Sequence, residues 1–166
     1  MARLGEVSGD IRPEAGALSR KSQVFHFPAR IGTEGVTGTT SVANDTGIVT
    51  IAASQTAATF CIPLSLKQSD VITGFKVSGQ GESAANAYTV DADLRATTAA
   101  AADLTDASVG AITQIAKSAD YLIADEKTGL SHTVISGNSY YVLITVTTAA
   151  STDVALQGVE VTVTQK

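Results

Sequence analysis

The sequence predicts an all-β domain, an antiparallel β-sandwich with jelly-roll or immunoglobulin-like wiring, preceded by an extended N-terminal arm. Three observations carry this. Apolar and polar residues alternate with a period of two in several segments. The cleanest is "AYTVDADLR", with Tyr88, Val90, Ala92 and Leu94 on one face and Thr89, Asp91, Asp93 and Arg95 on the other. Turn-forming clusters recur at the short spacing expected of a sandwich or barrel. No segment carries a convincing apolar stripe of helical period. At 166 residues the chain fits one domain with a real core, since a domain of about 150 residues hides roughly two-thirds of its unfolded surface.

Residues 1–22 have no sustained periodicity, contain Gly5, Gly9, Pro13 and Gly16, and hold their large apolar side chains singly at Leu4, Val7, Ile11 and Leu18. Such a segment cannot offset its own ordering entropy, so it is either disordered or held by a neighbour. We read it as an arm. Its candidate partner-binding residues are Leu4, Val7, Ile11, Arg12, Leu18, Arg20 and Lys21. The sandwich domain is expected over 23–166.

From Gln23 the strand signals begin. "QVFHFPARI" places Phe25, Phe27, Ala29 and Ile31 on one face and His26 on the other, with Pro28 marking an edge or a strand end. A Gly/Thr-rich loop precedes "IVTIAA". In "ATFCIPLSL", Phe60, Ile62, Leu64 and Leu66 alternate with Thr59, Cys61, Pro63 and Ser65. "KQSD" makes a corner, and "VITGFKVSG" returns with Val71, Thr73, Phe75 and Val77 on one face, Gly74 leaving the other locally bare. "SGQGES" reads as a turn that needs positive φ.

"TTAAAADLTDAS" favours helix by its alanines but lacks an apolar stripe, and reads as a loop with at most one helical turn. "VGAITQIAK" fits a helix or an irregular edge strand, and its neighbours favour the strand. "GLSHTVIS", "SYYVLITVTTA" and "DVALQGVEVTVTQ" close the chain as strands, joined by turns at "SGN" and "AAST". In the last, Val154 and Leu156 are even whereas Val159, Val161 and Val163 are odd. A one-residue phase change at Gln157-Gly158 is the mark of a β-bulge. The count comes to eight or nine strands.

Charged residues are only 16%, aromatic residues 5% with no Trp, and the net charge is −5. Nucleic acid is an unfavourable partner, because phosphate binding requires clustered Lys and Arg. The charge is uneven: the first 30 residues sum to +2 and the remainder to −7. A basic strap on an acidic body implies that the two make different contacts. The opening residues lack the apolar stretch of a signal peptide, and no run approaches a membrane span. The single cysteine, Cys61, excludes an internal disulfide framework and fits assembly in a reducing cytoplasm.

No motif for chemistry emerges, and we expect no catalytic, cofactor-binding or metal-binding residues and no cofactor. His26 and His132 sit mid-strand, and nothing pairs either with Cys61 as a base beside a thiol. Two isolated histidines do not make a cupin-type ligand set. Asp91 with Asp93, and Asp103, Asp106, Asp125 and Glu126 in expected loops, offer oxygens to Ca²⁺ without the spacing of an EF-hand. A paired-acid glycosidase needs an aromatic-lined cleft that a chain without Trp supplies poorly. "GTEGVTG" lacks the Gly-Lys-Ser/Thr ending of a phosphate loop.

The stretch "IPLSLKQSDVITGFKVSGQG", together with the ending "GLSHTVISGNSYYVLITVTTAASTDVALQGVEVTVTQ", resembles small β-sandwich proteins of tailed-bacteriophage virions, of the capsid cement or decoration type or the accessory head, neck and tail type. The resemblance spans roughly residues 57–166 and transfers no catalytic residue. It implies a non-enzymatic structural virion protein assembled in the bacterial host cytoplasm. Such a protein would form homo-oligomers and stabilise the outer capsid surface by gripping the major capsid protein, or another virion protein, through arm and sheet edges. The alternative it leaves open is a neck, baseplate or tail-fibre module recognising another virion protein or a host glycan, with loops 32–47, 79–86 and 97–108 at the tip.

Overall fold

A computed structural model describes residues 21–29, 40–43, 47–83, 87–99, 103–117 and 121–166. They form eleven strands and no helix: β1 (Ser22–Pro28), β2 (Thr40–Ala43), β3 (Ile48–Ile51), β4 (Ala58–Leu64), β5 (Val71–Ser83), β6 (Tyr88–Ala99), β7 (Leu104–Lys117), β8 (Tyr121–Ile123), β9 (Glu126–Thr133), β10 (Asn138–Thr148) and β11 (Thr152–Thr164). The larger sheet runs β2-β3-β11-β5-β8, with β1 also on β11 and β9 also on β5. The smaller sheet runs β4-β10-β6-β7. Every pairing is antiparallel. The chain changes sheet between β3 and β4, β4 and β5, β5 and β6, β7 and β8, β9 and β10, and β10 and β11. The expected β-sandwich is therefore what this chain forms.

The core lies between the two inner faces, as alternation requires. From the smaller sheet come Phe60, Ile62 and Leu64 of β4, Tyr88, Val90, Ala92 and Leu94 of β6, and Tyr140, Val142, Ile144 and Val146 of β10. The larger sheet answers with Val49 and Ile51 of β3, Ile72, Phe75 and Val77 of β5, and five β11 residues, Val154, Leu156, Val159, Val161 and Val163. Each fully buried aliphatic side chain is worth roughly 1.5–3 kcal/mol over its exposed state.

The phase change on β11 is a bulge, and it has a topological use. The register with β5 shifts between Leu156 and Gly158. On the opposite side, β3 pairs Val154–Leu156 and β1 pairs Gly158–Thr164. Two short strands thus share one flank of β11 and change over at the bulge. Gly158 has φ +155°, and a Cβ there would sit 2.3 Å from the Phe27 carbonyl oxygen. Only glycine lets β1 lie this close.

Several expectations are corrected. Most of "TTAAAADLTDAS" is strand and not loop: β6 continues to Ala99 and β7 runs from Leu104, paired from Ala99 opposite Leu104 to Tyr88 opposite Lys117, with residues 100–102 outside the described ones. A cross-strand partner compensates for the weak β preference of alanine. "SGQGES" is not a turn either, since β5 runs through it to Ser83. Its glycines serve close approach: a Cβ on Gly81 would meet the buried Tyr88 ring at 2.1 Å, and one on Gly79 the Ala155 carbonyl at 2.4 Å.

On β5 the inward residue near the start is Ile72 rather than Val71 or Thr73, because a register shift against β9 between Ile72 and Gly74 changes the phase before Phe75. Gly74 does not leave a bare face, since the Lys127 carbonyl would lie 2.6 Å from its Cβ. Eleven strands replace eight or nine because β2 and β8, which the sequence does not predict, are only four and three residues long. "VGAITQIAK" is the irregular edge strand expected, with register shifts in its pairing to β6. "KQSD" is a corner between sheets, Ser69 taking φ +74°.

Gly158→Ala is expected to destabilise the fold by roughly 2–4 kcal/mol, through backbone strain and the clash with Phe27. Gly137 also has positive φ, but nothing lies within 4 Å of its would-be Cβ, so Gly137→Ala should cost only about 1–2 kcal/mol. Thermal unfolding of the two variants checks the order, at about 2–4 °C per kcal/mol for a domain of this size.

Candidate functional site

Both outer sheet faces are polar, and the most structured group of side chains lies on the smaller sheet. Strand alternation turns Asp91, Asp93 and Arg95 of β6 and Tyr141, Leu143 and Thr145 of β10 away from the core, all half-buried. Register puts Tyr141 opposite Arg95 and Leu143 opposite Asp93. On the other side of β6, Ser108 pairs with Arg95 and Asp106 with Thr97. The Arg95 guanidinium donates through Nε to Asp106 Oδ2 at 2.8 Å and through Nη1 to Asp93 Oδ2. Ser108 Oγ donates to the other Asp93 oxygen.

One cation is therefore shared by two carboxylates on neighbouring strands. Hydrogen bonds to Asp106 and then Asp93 hold the Arg95 guanidinium protonated beyond its ordinary range. The Asp106 carboxyl is held below its ordinary value, first by a hydrogen bond from the Tyr141 hydroxyl and then by Arg95. The Tyr141 hydroxyl is pushed up, by burial first and then by its bond to Asp106. With side chains 23–40% exposed, the network stabilises modestly and acts mainly to fix side-chain positions.

Cys61 lies on β4, an edge strand, and is exposed. Burial of the sulfur and then the Asp106 charge push its thiol up, the opposite of what a nucleophile needs. His26 faces outward as expected, its Nδ1 3.6 Å from Glu160 Oε1. His132 is half-buried rather than on the surface: its Nε2 lies 3.1 Å from the Tyr140 hydroxyl, which also accepts the Ile135 N–H at 3.0 Å. The imidazole thus tightens the β9–β10 connection. Among the described residues, no group of three or more His, Cys, Asp or Glu side chains is placed to hold a metal ion.

The outer face of the larger sheet carries a row of polar side chains. Register aligns His26 of β1, Glu160 of β11, Lys76 of β5 and Glu126 of β9. At the sandwich end formed by the β4–β5 corner and the β9–β10 connection lies a cleft of about 520 Å³, whose lining includes Gln68, Ser136, Asn138 and Ser139. Of the loops expected to form a binding tip, 40–43, 79–83, 97–99 and 104–108 are strand, and the remainder lies largely outside the described residues.

The third feature is an edge. β1 pairs with β11 and with no other described strand. The Ala29 N–H donates to the Gln157 carbonyl at 2.9 Å, and the Gln165 N–H to the Lys21 carbonyl at 3.2 Å. These two contacts bracket β1, so its odd-numbered residues turn their main-chain groups toward β11 and the even-numbered ones turn theirs away. Among the described residues this second edge has no strand partner, and it presents N–H and C=O of Ser22, Val24 and His26, and the carbonyl alone of Pro28. Proline here sacrifices no bond to β11, and it ends the run of donors. Val24 is 49% exposed.

Of the arm residues singled out from the sequence, Leu4, Val7, Ile11, Arg12, Leu18 and Arg20 lie outside the described residues. Lys21 is exposed, directly precedes β1, and its carbonyl accepts the Gln165 N–H just past β11. The Arg95–Asp106–Tyr141 network went unnoticed in the sequence, although a lone Arg after two outward Asp residues was a usable signal.

No protein-family model matches the chain, and no curated protein matches it. Two solved structures overlap with it. A chain from the crystal structure of the enzymatically active domain of bacteriophage CBA120 tailspike protein 4 is 16% identical, with a TM-score of 0.34, over 86% of this chain and 19% of that one. A chain from the structure of infectious bursal disease virus Gt strain is 14% identical, with a TM-score of 0.37, over 87% of this chain and 33% of that one. This chain thus spans about a fifth and a third of the two.

Two outcomes are expected. Since the folded Asp106 value lies below the unfolded one, its contribution to stability is complete above about pH 4 and is lost as pH falls through the folded value. Tyr141→Phe should therefore raise the Asp106 titration midpoint in carboxyl-detected NMR; an unmoved midpoint would remove Tyr141 from the network. Iodoacetamide should alkylate Cys61 more slowly than an unstructured cysteine peptide at the same pH, and Asp106→Asn should speed the reaction.

Proposed function

We propose that this chain is a non-enzymatic structural protein of a tailed-bacteriophage virion, a capsid cement or decoration protein that binds the outer capsid surface through its N-terminal arm and sheet edges. The observation that carries the reading is the open β1 edge, which directly follows residues 1–20. Sheet edges that stay regular and unprotected are liabilities in a solitary protein and assets in an assembly, where an added strand supplies affinity from main-chain bonds. The sequence resemblance over residues 57–166 favours the same role. So do the outer faces, whose charged groups bond one another across the strands.

A second reading is a neck, baseplate or fibre module that recognises another virion protein or a host glycan. It is favoured by the cleft at the β4–β5 corner, where Gln68, Ser136, Asn138 and Ser139 stand beside apolar Pro63, Leu66 and Ile135, since a sugar offers both hydroxyls and an apolar ring face.

Electron cryomicroscopy of the virion separates the two. A shell protein occupies the head lattice in hundreds of copies, whereas a tail module occurs a few at a time. Deleting residues 1–20 should leave the melting temperature of the sandwich within a few degrees and abolish binding to heads stripped of the protein. Undiminished binding would remove the arm from the mechanism.

A further inference from the structure

We infer that β1 is the two-fold interface of a homodimer, pairing antiparallel with β1 of a second copy about Val24. The inference rests on the edge-strand part of the reading above, gives the β1 edge to a second copy and so leaves capsid binding to the arm and the other sheet edges; it does not rest on a place in any virion.

Antiparallel pairing through the open edge joins only residues whose main-chain groups face outward, so even-numbered positions must meet even-numbered positions. Two-fold symmetry then leaves five registers, with the axis at any residue from Ser22 to His26, because an axis through an odd residue also sets even against even. Centred on Gln23, the pair would set His26 against residue 20, before the start of β1. Centred on Phe25, it would set Ser22 against Pro28 and each exposed Val24 against an imidazole instead of a second valine. Centred on His26, the pair would set Val24 against Pro28, which has no N–H to give, and would bring the two imidazoles face to face. Centred on Ser22, it would run past the start of β1 and leave His26 unpaired.

Centred on Val24, it sets Ser22 opposite His26 of the second copy, Val24 opposite Val24, and His26 opposite Ser22. All six outward N–H groups find carbonyls, and the two prolines lie just beyond the paired run. On the outer face the two Val24 side chains, each 49% exposed in the single chain, cover one another. Apolar cross-strand pairs of this kind add to the main-chain bonds. The two larger sheets become one.

Sedimentation of the full chain should show a monomer–dimer equilibrium. Val24→Pro removes an outward N–H from each copy and no bond to β11, because only odd-numbered residues bond there. It should raise the dimer dissociation constant about tenfold or more while the thermal melt of the monomer stays in place. Independently of that variant's folding, Val24→Cys in a Cys61→Ser background should form a disulfide-linked dimer on mild oxidation. Hydrogen-bonded pairs across antiparallel strands hold their Cα atoms about 5.5 Å apart, within reach of a disulfide. Ser136→Cys, exposed on the β9–β10 connection, serves as the control.

Three results would overturn the inference: a monomer at the highest soluble concentration, a dimer that Val24→Pro leaves equally tight, or a Val24→Cys chain that cross-links no faster than Ser136→Cys. Absence of the protein from virions would sink the proposed function and leave this test untouched.

Discussion

The bulge on β11 is the constraint on which the rest of the larger sheet depends. β11 lies at the middle of that sheet and keeps β5 along its whole length on one side. On the other side it must serve two partners, β3 and then β1, and the change of partner falls where the inward phase slips by one residue. Without the slip, one half of β11 would turn its valines to solvent. Gly158 makes the slip possible, and its missing side chain lets the Phe27 carbonyl close in. The geometry that completes the core also makes β1 a short strand with one satisfied edge and one free one.

The same division between inner and outer faces organises the surface. Inward alternation consumes nearly every large aliphatic residue of the central strands, so what remains for the outer faces is Thr, Ser and a few charges. Arg95 lies between Asp93 on its own strand and Asp106 on the next, and His26, Glu160, Lys76 and Glu126 stand in a row across four strands. Exposed contacts of this kind act mainly to fix side-chain positions. The outward main-chain groups of β1 are different, because among the described residues they have no strand partner and are arranged at the regular spacing of a strand.

Much of this was legible in the residues. Alternation along 88–95 and the parity change between Leu156 and Val159 are properties of consecutive side chains, and both gave the right faces and the right bulge. Pro28 gave the right edge. The errors share one cause. Residues 97–99 and 104–108, which flank a run of alanines, and the glycines at 79 and 81 look like loops when read locally, because alanine and glycine have little strand preference of their own. They are strands because a neighbour supplies the bonds and, at Gly81, a buried Tyr88 ring needs the space.

By itself, then, the sequence determined the class of fold, the inward residues of the central strands and the position of the bulge, since each is written in a period of two over a few residues. Only the tertiary structure decided that β5 slips phase against β9 beside Gly74 and that Arg95 lies between Asp93 and Asp106. It alone decided that β1 and β3 share one flank of β11, with the even-numbered groups of β1 facing outward. These depend on register between segments tens of residues apart, and register is a matter of pairing, which no single segment carries.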